Sequence, residues 1–270
     1  MEDIRLEQFF TIVYSCTTDR QKPHERLVHE HALGCLLTGE MTFQSSKESF
    51  TIHEGDIVLV RKNQLARMEK KPSPRGEFQL ISIFFTREFL QKYAVENKII
   101  MEHKYTGKQN HLLTNDPFIG SFFNSLRAYL DHPVRNSEKL AELKVREAIE
   151  LLIPLNPEYS KLLFDFNDPH KVDLRKYMNE NYAFNVPIAS FARLTGRSLA
   201  SFKRDFQKEY GTSPRKWLQE KRLSEARYLI KEKGKRPGDI YLDLGFENLS
   251  HFYFSFKQRF GETPAELLVA

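Results

Sequence analysis

Cationic side chains concentrated in one segment are the chemistry this sequence offers. No glycine-rich nucleotide loop, Ser/His/Asp order or zinc-type cysteine pair occurs along its 270 residues. The chain holds 41 Lys and Arg against 36 Asp and Glu, a net charge of +5, and the surplus is local. Residues 168–270 hold 19 basic and 13 acidic side chains, whereas residues 1–167 hold 22 and 23. Cations confined to one segment suit a polyanionic partner, because each Lys or Arg laid on a phosphate releases condensed counterions. A solvated helical surface would carry the same charge, so the spacing of the residues must decide between the two.

An internal repeat supplies that spacing. Leu199, Phe202, Phe206, Tyr210, Gly211, Ser213 and Pro214 return fifty positions later as Leu249, Phe252, Phe256, Phe260, Gly261, Thr263 and Pro264. Just upstream, Leu194-Thr195-Gly196 matches Asp243-Leu244-Gly245 at an offset of 49. Each block predicts a short helix (187–194 and 237–244) ending at a glycine able to take positive φ. After a tight turn comes a second helix, 198–210 or 248–260, capped by Ser198 or Asn248. Leu199, Phe202, Phe206 and Tyr210 fall on one helical stripe that should face a core, leaving the positions between them outward. A helix over 214–231, with Trp217, Leu218, Leu223, Ala226, Leu229 and Ile230 as its apolar stripe, joins the blocks. Helix, glycine turn, helix is the pattern that docks its second helix in a DNA major groove. A connector of this length would hold two such helices about one DNA turn, ~34 Å, apart. An all-helical protein-binding domain would also explain stripes and caps, but less well why the positive surplus coincides with the repeat.

The elements ahead of the repeat are of another kind. Segments 10–14, 34–38, 41–43, 49–52, 56–60 and 77–85 are short, rich in β-branched and aromatic residues, and separated by turn-forming clusters, which predicts a sandwich or small barrel over about 8–88. The stretch Leu37-Thr38-Gly39-Glu40 reads as a hairpin turn. From about Phe89 the period becomes helical. Asp116-Pro117 starts one helix carrying Phe118, Ile119, Phe122, Phe123, Leu126, Tyr129 and Leu130. A second spans 137–153 with Leu140, Leu143, Ala148, Leu151 and Leu152 on one face, ending before Pro154. Their apolar surface exceeds what a lone hairpin needs, so they either cover the barrel or pair two subunits. Proline and Asn/Asp in 154–170 predict a linker. The expected architecture is α+β in two domains: residues 1–153, a barrel with flanking helices, and residues 171–270, all helical. Cys16 and Cys35 are too few for a disulfide framework and are expected to be reduced and buried. The acidic start Met1-Glu2-Asp3 has no apolar stretch, so no secretory signal is expected. The longest apolar runs fall short of a bilayer span, and no membrane partner is expected.

At this point the residues match a known pattern. Gly245-Phe246, Phe252, Phe256-Lys257, Phe260-Gly261 and Thr263-Pro264 resemble the signature of the AraC/XylS family of transcription regulators, over about residues 172–268. The resemblance implies tandem helix-turn-helix units and a cupin-like amino-terminal barrel that senses or dimerises. It also implies sequence-specific binding to double-stranded promoter DNA in a bacterial cytoplasm, with RNA polymerase as a further partner, and no enzymatic activity. Base contacts then fall to Ala200, Lys203 and Arg204 in the first unit and Ser250, His251 and Phe254 in the second. Arg197, Lys208, Lys257 and Arg259 are expected on phosphates. Two residues depart from the family pattern: Phe254 stands where Arg is common, and Tyr241 where a small Ala is usual. They imply a second unit that holds the backbone more than it reads sequence. Val28-His29-Glu30-His31 and Ile52-His53-Glu54-Gly55-Asp56 resemble the two cupin motifs. The Glu expected after His31 is replaced by Gly34 and Cys35, and a third His is missing from 62–67, so no metal or other cofactor is expected. His29 and His31 are assigned to a small-molecule effector pocket, and a homodimer is expected through helices 116–153. A metal-dependent cupin enzyme and a helical scaffold without DNA affinity are the competing readings.

Overall fold

The computed structural model describes residues 4–19, 23–100, 104–113, 116–131, 138–167 and 169–269. Two compact units make up the chain, one of residues 1–24, 28–64 and 68–167, the other of 168–270 with the short stretches 25–27 and 65–67.

Among the described residues the first unit is built on ten strands: β1 (Ile4–Phe9), β2 (Ile12–Thr17), β3 (His24–Val28), β4 (His31–Thr38), β5 (Glu40–Gln44), β6 (Ser49–His53), β7 (Ile57–Val60), β8 (Gln64–Lys71), β9 (Phe78–Phe85) and β10 (Asn110–Leu113). They form a six-stranded sheet in the order β1-β2-β9-β4-β7-β10 and a four-stranded sheet in the order β3-β8-β5-β6. Antiparallel pairing runs through β1–β2, β2–β9, β9–β4, β4–β7, β7–β10 and β5–β6. The two-domain α+β reading agrees with this structure. Several strands escaped the sequence pattern for a physical reason. β8 carries Gln64 and Lys70 as buried residues on the same side of the strand, so that side does not read as apolar. The Leu37–Glu40 stretch is not a hairpin turn: Gly39 carries the chain from the six-stranded sheet to the four-stranded one. Its φ is +96°, and a Cβ there would lie 2.7 Å from the Lys71 carbonyl oxygen, so no other residue fits.

Among the described residues, α1 (Arg87–Glu96), α2 (Pro117–Asp131), α3 (Glu138–Leu155) and α4 (Pro157–Leu163) pack on the larger sheet. Leu33, Ile57, Ile81, Ile83 and Phe85 from the sheet form one core with Leu90, Phe122, Phe123, Val145, Ile149 and Leu162 from the helices. Asp116 caps α2, its Oδ1 accepting from the Phe118 and Ile119 amides at 2.9 and 3.0 Å. Leu143 is not on the inward face of α3; it is 60% exposed, while Ala141, Val145 and Ala148 turn inward. The Leu130 side chain and Ser137 lie outside the described residues. Cys35 is buried, which pushes its thiol up to about 11, but Cys16 is only half-buried.

The expected linker 154–170 is corrected most. α3 continues through Pro154, and Asn156-Pro157 starts α4, the Asn156 side chain accepting from the Glu158 amide at 3.0 Å. Asparagine followed by proline is a cap and first-turn signal as much as a loop signal. Leu162, Leu163 and Phe164 are fully buried. Asp165, 2% exposed, follows them and accepts from Arg61 Nη2 at 2.7 Å, the Tyr105 amide at 3.3 Å and the Asn167 amide at 3.1 Å. The Arg61 guanidinium also lies 5.0 Å from the Tyr105 ring centroid.

The second unit is helical: α5 (Leu174–Asn181), α6 (Ile188–Leu194), α7 (Leu199–Tyr210), α8 (Pro214–Lys233), α9 (Pro237–Ile240), α10 (Leu249–Phe260) and α11 (Pro264–Val269). Its two lobes have separate cores. Phe191, Ala192, Leu194, Phe202 and Phe206 pack with Leu174, Met178 and Leu218. Ile240, Leu244, Phe246, Phe252 and Phe256 pack with Leu223, Ala226, Ile230 and Leu267. The joining helix α8 therefore serves the first core with its amino-terminal half and the second with its carboxyl-terminal half. α9 is one turn long, shorter than the 237–244 expected, because residues 241–245 form turns. No helix among the described residues is long and apolar enough to cross a membrane.

Removing the Asp165 carboxylate strands a partly buried guanidinium, so Asp165→Ala should cost about 3 kcal/mol. Urea unfolding of the full chain measures this, and an unshifted transition would contradict the anchoring role given to Asp165.

Candidate nucleic-acid interface

Each lobe of the second unit has the same turn between the two helices of its helix-turn-helix. In the first, the Gly196 amide donates to the Arg193 carbonyl at 3.0 Å and the Arg197 amide to the Ala192 carbonyl at 3.0 Å. In the second, the Gly245 amide donates to Leu242 and the Phe246 amide to Tyr241, both at 2.9 Å. Gly196 and Gly245 have φ of +66° and +82°, and a Cβ on either would come within 2.3 Å of backbone atoms, of His170 and Ala183 respectively. Tyr241 thus occupies the place of Ala192, half-buried against the second core where Ala192 is fully buried in the first.

The helices after the turns are capped as the sequence predicts. Ser198 Oγ accepts from the Ser201 amide at 3.2 Å, and Asn248 Oδ1 accepts from the His251 amide at 2.7 Å. Phe202, Phe206, Phe252 and Phe256 are fully buried, and Gly211 and Gly261 end α7 and α10 in the left-handed conformation. Leu199 and Leu249 do not face the core. They are 41% and 39% exposed, because each occupies the first helical position, ahead of the turn that packs inward.

The positions assigned to base contact all reach solvent: Ala200, Lys203 and Arg204 on α7, and Ser250, His251 and Phe254 on α10. Arg204 Nη2 lies 3.5 Å from Ser201 Oγ, at the limit of a hydrogen bond. Phe254 is 68% exposed, an aromatic ring on a helix whose other two central phenylalanines are buried. Lys208, Lys257 and Arg259 are exposed, as phosphate contact requires.

Arg197 is a correction. Its side chain is only 8% exposed and is committed to the lobe itself: Nε donates to Asp205 Oδ2 at 3.0 Å, and Nη1 to the Thr195 and Val172 carbonyls at 2.8 and 3.0 Å. Arg197, with Lys171, holds the Asp205 carboxyl below the usual carboxylate range. A cation just before a recognition helix reads the same in sequence whether it points to a phosphate or to a carboxylate eight residues further on in that helix. Arg222 went unsingled for a similar reason. It lies on α8 among other basic residues, yet its guanidinium bonds three backbone carbonyls.

In the first unit, His29 and His31 are not drawn into one pocket. His29 is exposed, whereas His31 is fully buried, with Nδ1 accepting from the Lys62 amide at 3.3 Å and Nε2 without a partner. Burial, reinforced by the Lys62 and Arg61 charges, holds the His31 imidazole well below the usual histidine range. Neither ring lines the three open concavities described in this unit, whose walls include Lys47 and Asn110, Phe10 and Val145, or Leu37 and Phe123. His29 lies in the connection between β3 and β4, whereas His31 is the first residue of β4, so the period-two alternation that would put the two rings on one face does not extend to His29.

Comparison with known proteins adds the following. Residues 191–269 match a family model described as a helix-turn-helix domain, and residues 31–169 match one described as an ExsA N-terminal regulatory domain. The HTH-type transcriptional regulator ExsA of Pseudomonas aeruginosa is 26% identical over 242 residues, 89% of this chain and 86% of that protein. The virulence regulon transcriptional activator VirF of Yersinia enterocolitica is 28% identical over 249 residues, 88% of this chain and 90% of that protein. Among solved structures, an apo ToxT variant from Vibrio cholerae superposes with a TM-score of 0.46 at 14% identity, over 97% of this chain and 98% of that one.

Arg197→Ala should lower stability by about 2 kcal/mol through its lost charged hydrogen bonds, yet leave the salt dependence of DNA binding unchanged. Lys208→Ala should do the reverse, reducing the slope of log K against log salt by about 0.9. Thermal melts and binding at three salt concentrations check both, and a flattened slope for Arg197→Ala would restore it to the phosphate contacts.

Proposed function

The chain belongs to the AraC/XylS family of transcription regulators, and we propose that its first recognition helix reads operator sequence while its second chiefly holds the duplex. The protein is a DNA-binding transcription regulator with an ExsA-type amino-terminal domain. One observation carries the finer reading: two blocks fifty residues apart each fold as a capped helix with its phenylalanine pair buried and its intervening positions exposed. On α7, Arg204 is assigned to the O6 and N7 edge of a guanine, Lys203 to a neighbouring base or phosphate, and Ala200 to a thymine methyl. On α10, Ser250 and His251 can hydrogen-bond, but Phe254 brings apolar contact where a guanidinium would bring a fork of donors. Lys208, Lys257 and Arg259 contact phosphates in this reading. The unequal chemistry of the two helices supports the division of labour.

Occupancy beside a promoter, with RNA polymerase as the protein partner, makes the chain a regulator of transcription and not an enzyme, acting in the cytoplasm where the chromosome lies. The DNA-binding domain comprises residues 171–270, and regulatory input, including any small-molecule effector, enters through the amino-terminal unit. Self-association is assigned to the α2 and α3 surface, where Phe118 and Leu143 are 70% and 60% exposed although the opposite faces of both helices are packed.

Selecting bound fragments from a genomic library should recover a recurring duplex site. On that site Arg204→Ala should lose about 1 to 3 kcal/mol of discrimination at one guanine while its melting temperature stays unchanged. Undiminished discrimination would remove Arg204 from the readout. Leu143→Glu should halve the mass seen by sedimentation, and a wild-type protein that is monomeric at micromolar concentration would refute pairing through this face.

A further inference from the structure

Arg222, near the middle of α8, differs from the other cations of that helix because its guanidinium is turned onto the backbone. Nε donates to the Tyr182 carbonyl at 2.8 Å, Nη2 to the Phe184 carbonyl at 2.9 Å, and Nη1 to the Gly245 carbonyl at 3.0 Å. Burial draws the group below the usual arginine range, so these bonds form where water competes poorly. The first two carbonyls belong to the loop that follows α5, in the first lobe. The third belongs to the glycine turn inside the second helix-turn-helix, between α9 and α10. One planar fork therefore fixes three backbone points drawn from both lobes.

The seam around it is closed by backbone as well. A Cβ on Gly245 would lie 2.3 Å from the Ala183 carbonyl oxygen and 2.9 Å from Arg222 Cζ, so the turn sits directly against the first lobe and the guanidinium. At the outer edge, Asn185 Nδ2 donates to Glu247 Oε1 at 3.0 Å. Away from this seam, the lobes have separate cores, with Tyr182 packing at the margin of both and α8 running between them. A lone connecting helix fixes distance but resists twisting and swinging of its end lobes only weakly. The seam supplies the missing constraint.

We propose that Arg222 is a positioning residue that sets the spacing and phase at which two half-sites are accepted. The proposal rests on the reading that both recognition helices engage one duplex. Inserting one base pair moves the second groove by ~3.4 Å and rotates it by about 34° around the axis, from 10 to 10.5 base pairs per turn. Locked lobes cannot follow that displacement, and unlocked lobes can. Outward side chains of α7, with a smaller share from Ser250 and His251 on α10, then select sequence, while Arg222 selects distance.

The test uses the full chain and the operator recovered by genomic selection, with spacers of −1, 0, +1 and +2 base pairs and a duplex carrying only the first half-site. Wild type should lose about tenfold or more in affinity for each shifted spacer, comparable to a mismatched base pair. Arg222→Lys keeps the charge but not the three-point fork. It should bind the native spacer more weakly and bring all four spacers to within about threefold, with half-site affinity unchanged. The double variant Asn185→Ala/Glu247→Ala opens only the exposed edge of the seam and should relax the profile part way. A folded Arg222→Lys protein with the wild-type spacer profile, or a wild type indifferent to spacing, overturns the proposal. Should Arg222→Lys fail to fold, an unaltered profile in the double variant overturns it instead. A wild type that selects no site at all would defeat the operator reading itself, a result distinct from either.

Discussion

A single helix shared between two hydrophobic cores governs the carboxyl-terminal half of this protein. Leu218 of α8 is sealed into the first lobe, and Leu223, Ala226 and Ile230 into the second. Burying each of the leucines and the isoleucine contributes roughly 1.5 to 3 kcal/mol, so neither lobe can detach from α8 without exposing its own floor. Every other feature of the interface follows from that tie. Phe202 and Phe206 can face one core only if Lys203 and Arg204 face away from it, and the same geometry sends Phe254 outward when Phe252 and Phe256 turn in. The outward chemistry is thus the complement of the packing.

The amino-terminal unit is organised differently, around charges held in a low-dielectric setting. Arg61 and Asp165 pair at 2.7 Å, joining the end of β7 to the segment after α4. Lys62, itself buried, has its ammonium 5.8 Å from the Phe166 ring centroid, and its amide donates to His31. Burial draws the Lys62 ammonium below the usual lysine range and keeps His31 neutral. Arg61 and Asp165 satisfy each other, whereas His31 Nε2 is left buried without a partner.

The elements of the carboxyl-terminal half were legible because each carries local punctuation. Ser198, Asn248 and Ser213 cap helices, Gly211 and Gly261 end them, and the phenylalanine spacing gives the period. The amino-terminal half was read less completely. β8 hides one buried side behind Gln64 and Lys70, and α4 hides behind an Asn-Pro pair that looks like a loop. Periodicity alone assigns Leu143 and Leu199 inward, yet both are exposed, because a period marks a stripe but not how wide a strip the neighbours cover.

Among the candidate site residues, sequence alone determined the exposed set on α7 and α10, since helical spacing makes outward positions a necessary consequence of inward ones. It could not decide the fate of single cations and histidines. Arg197 turns to Asp205, Arg222 spans two lobes, and His31 is sealed away from His29, all through partners distant in the chain or across a strand. A charged or polar side chain has several acceptable environments of similar free energy, and only the assembled fold, by removing water from some of them, chooses one.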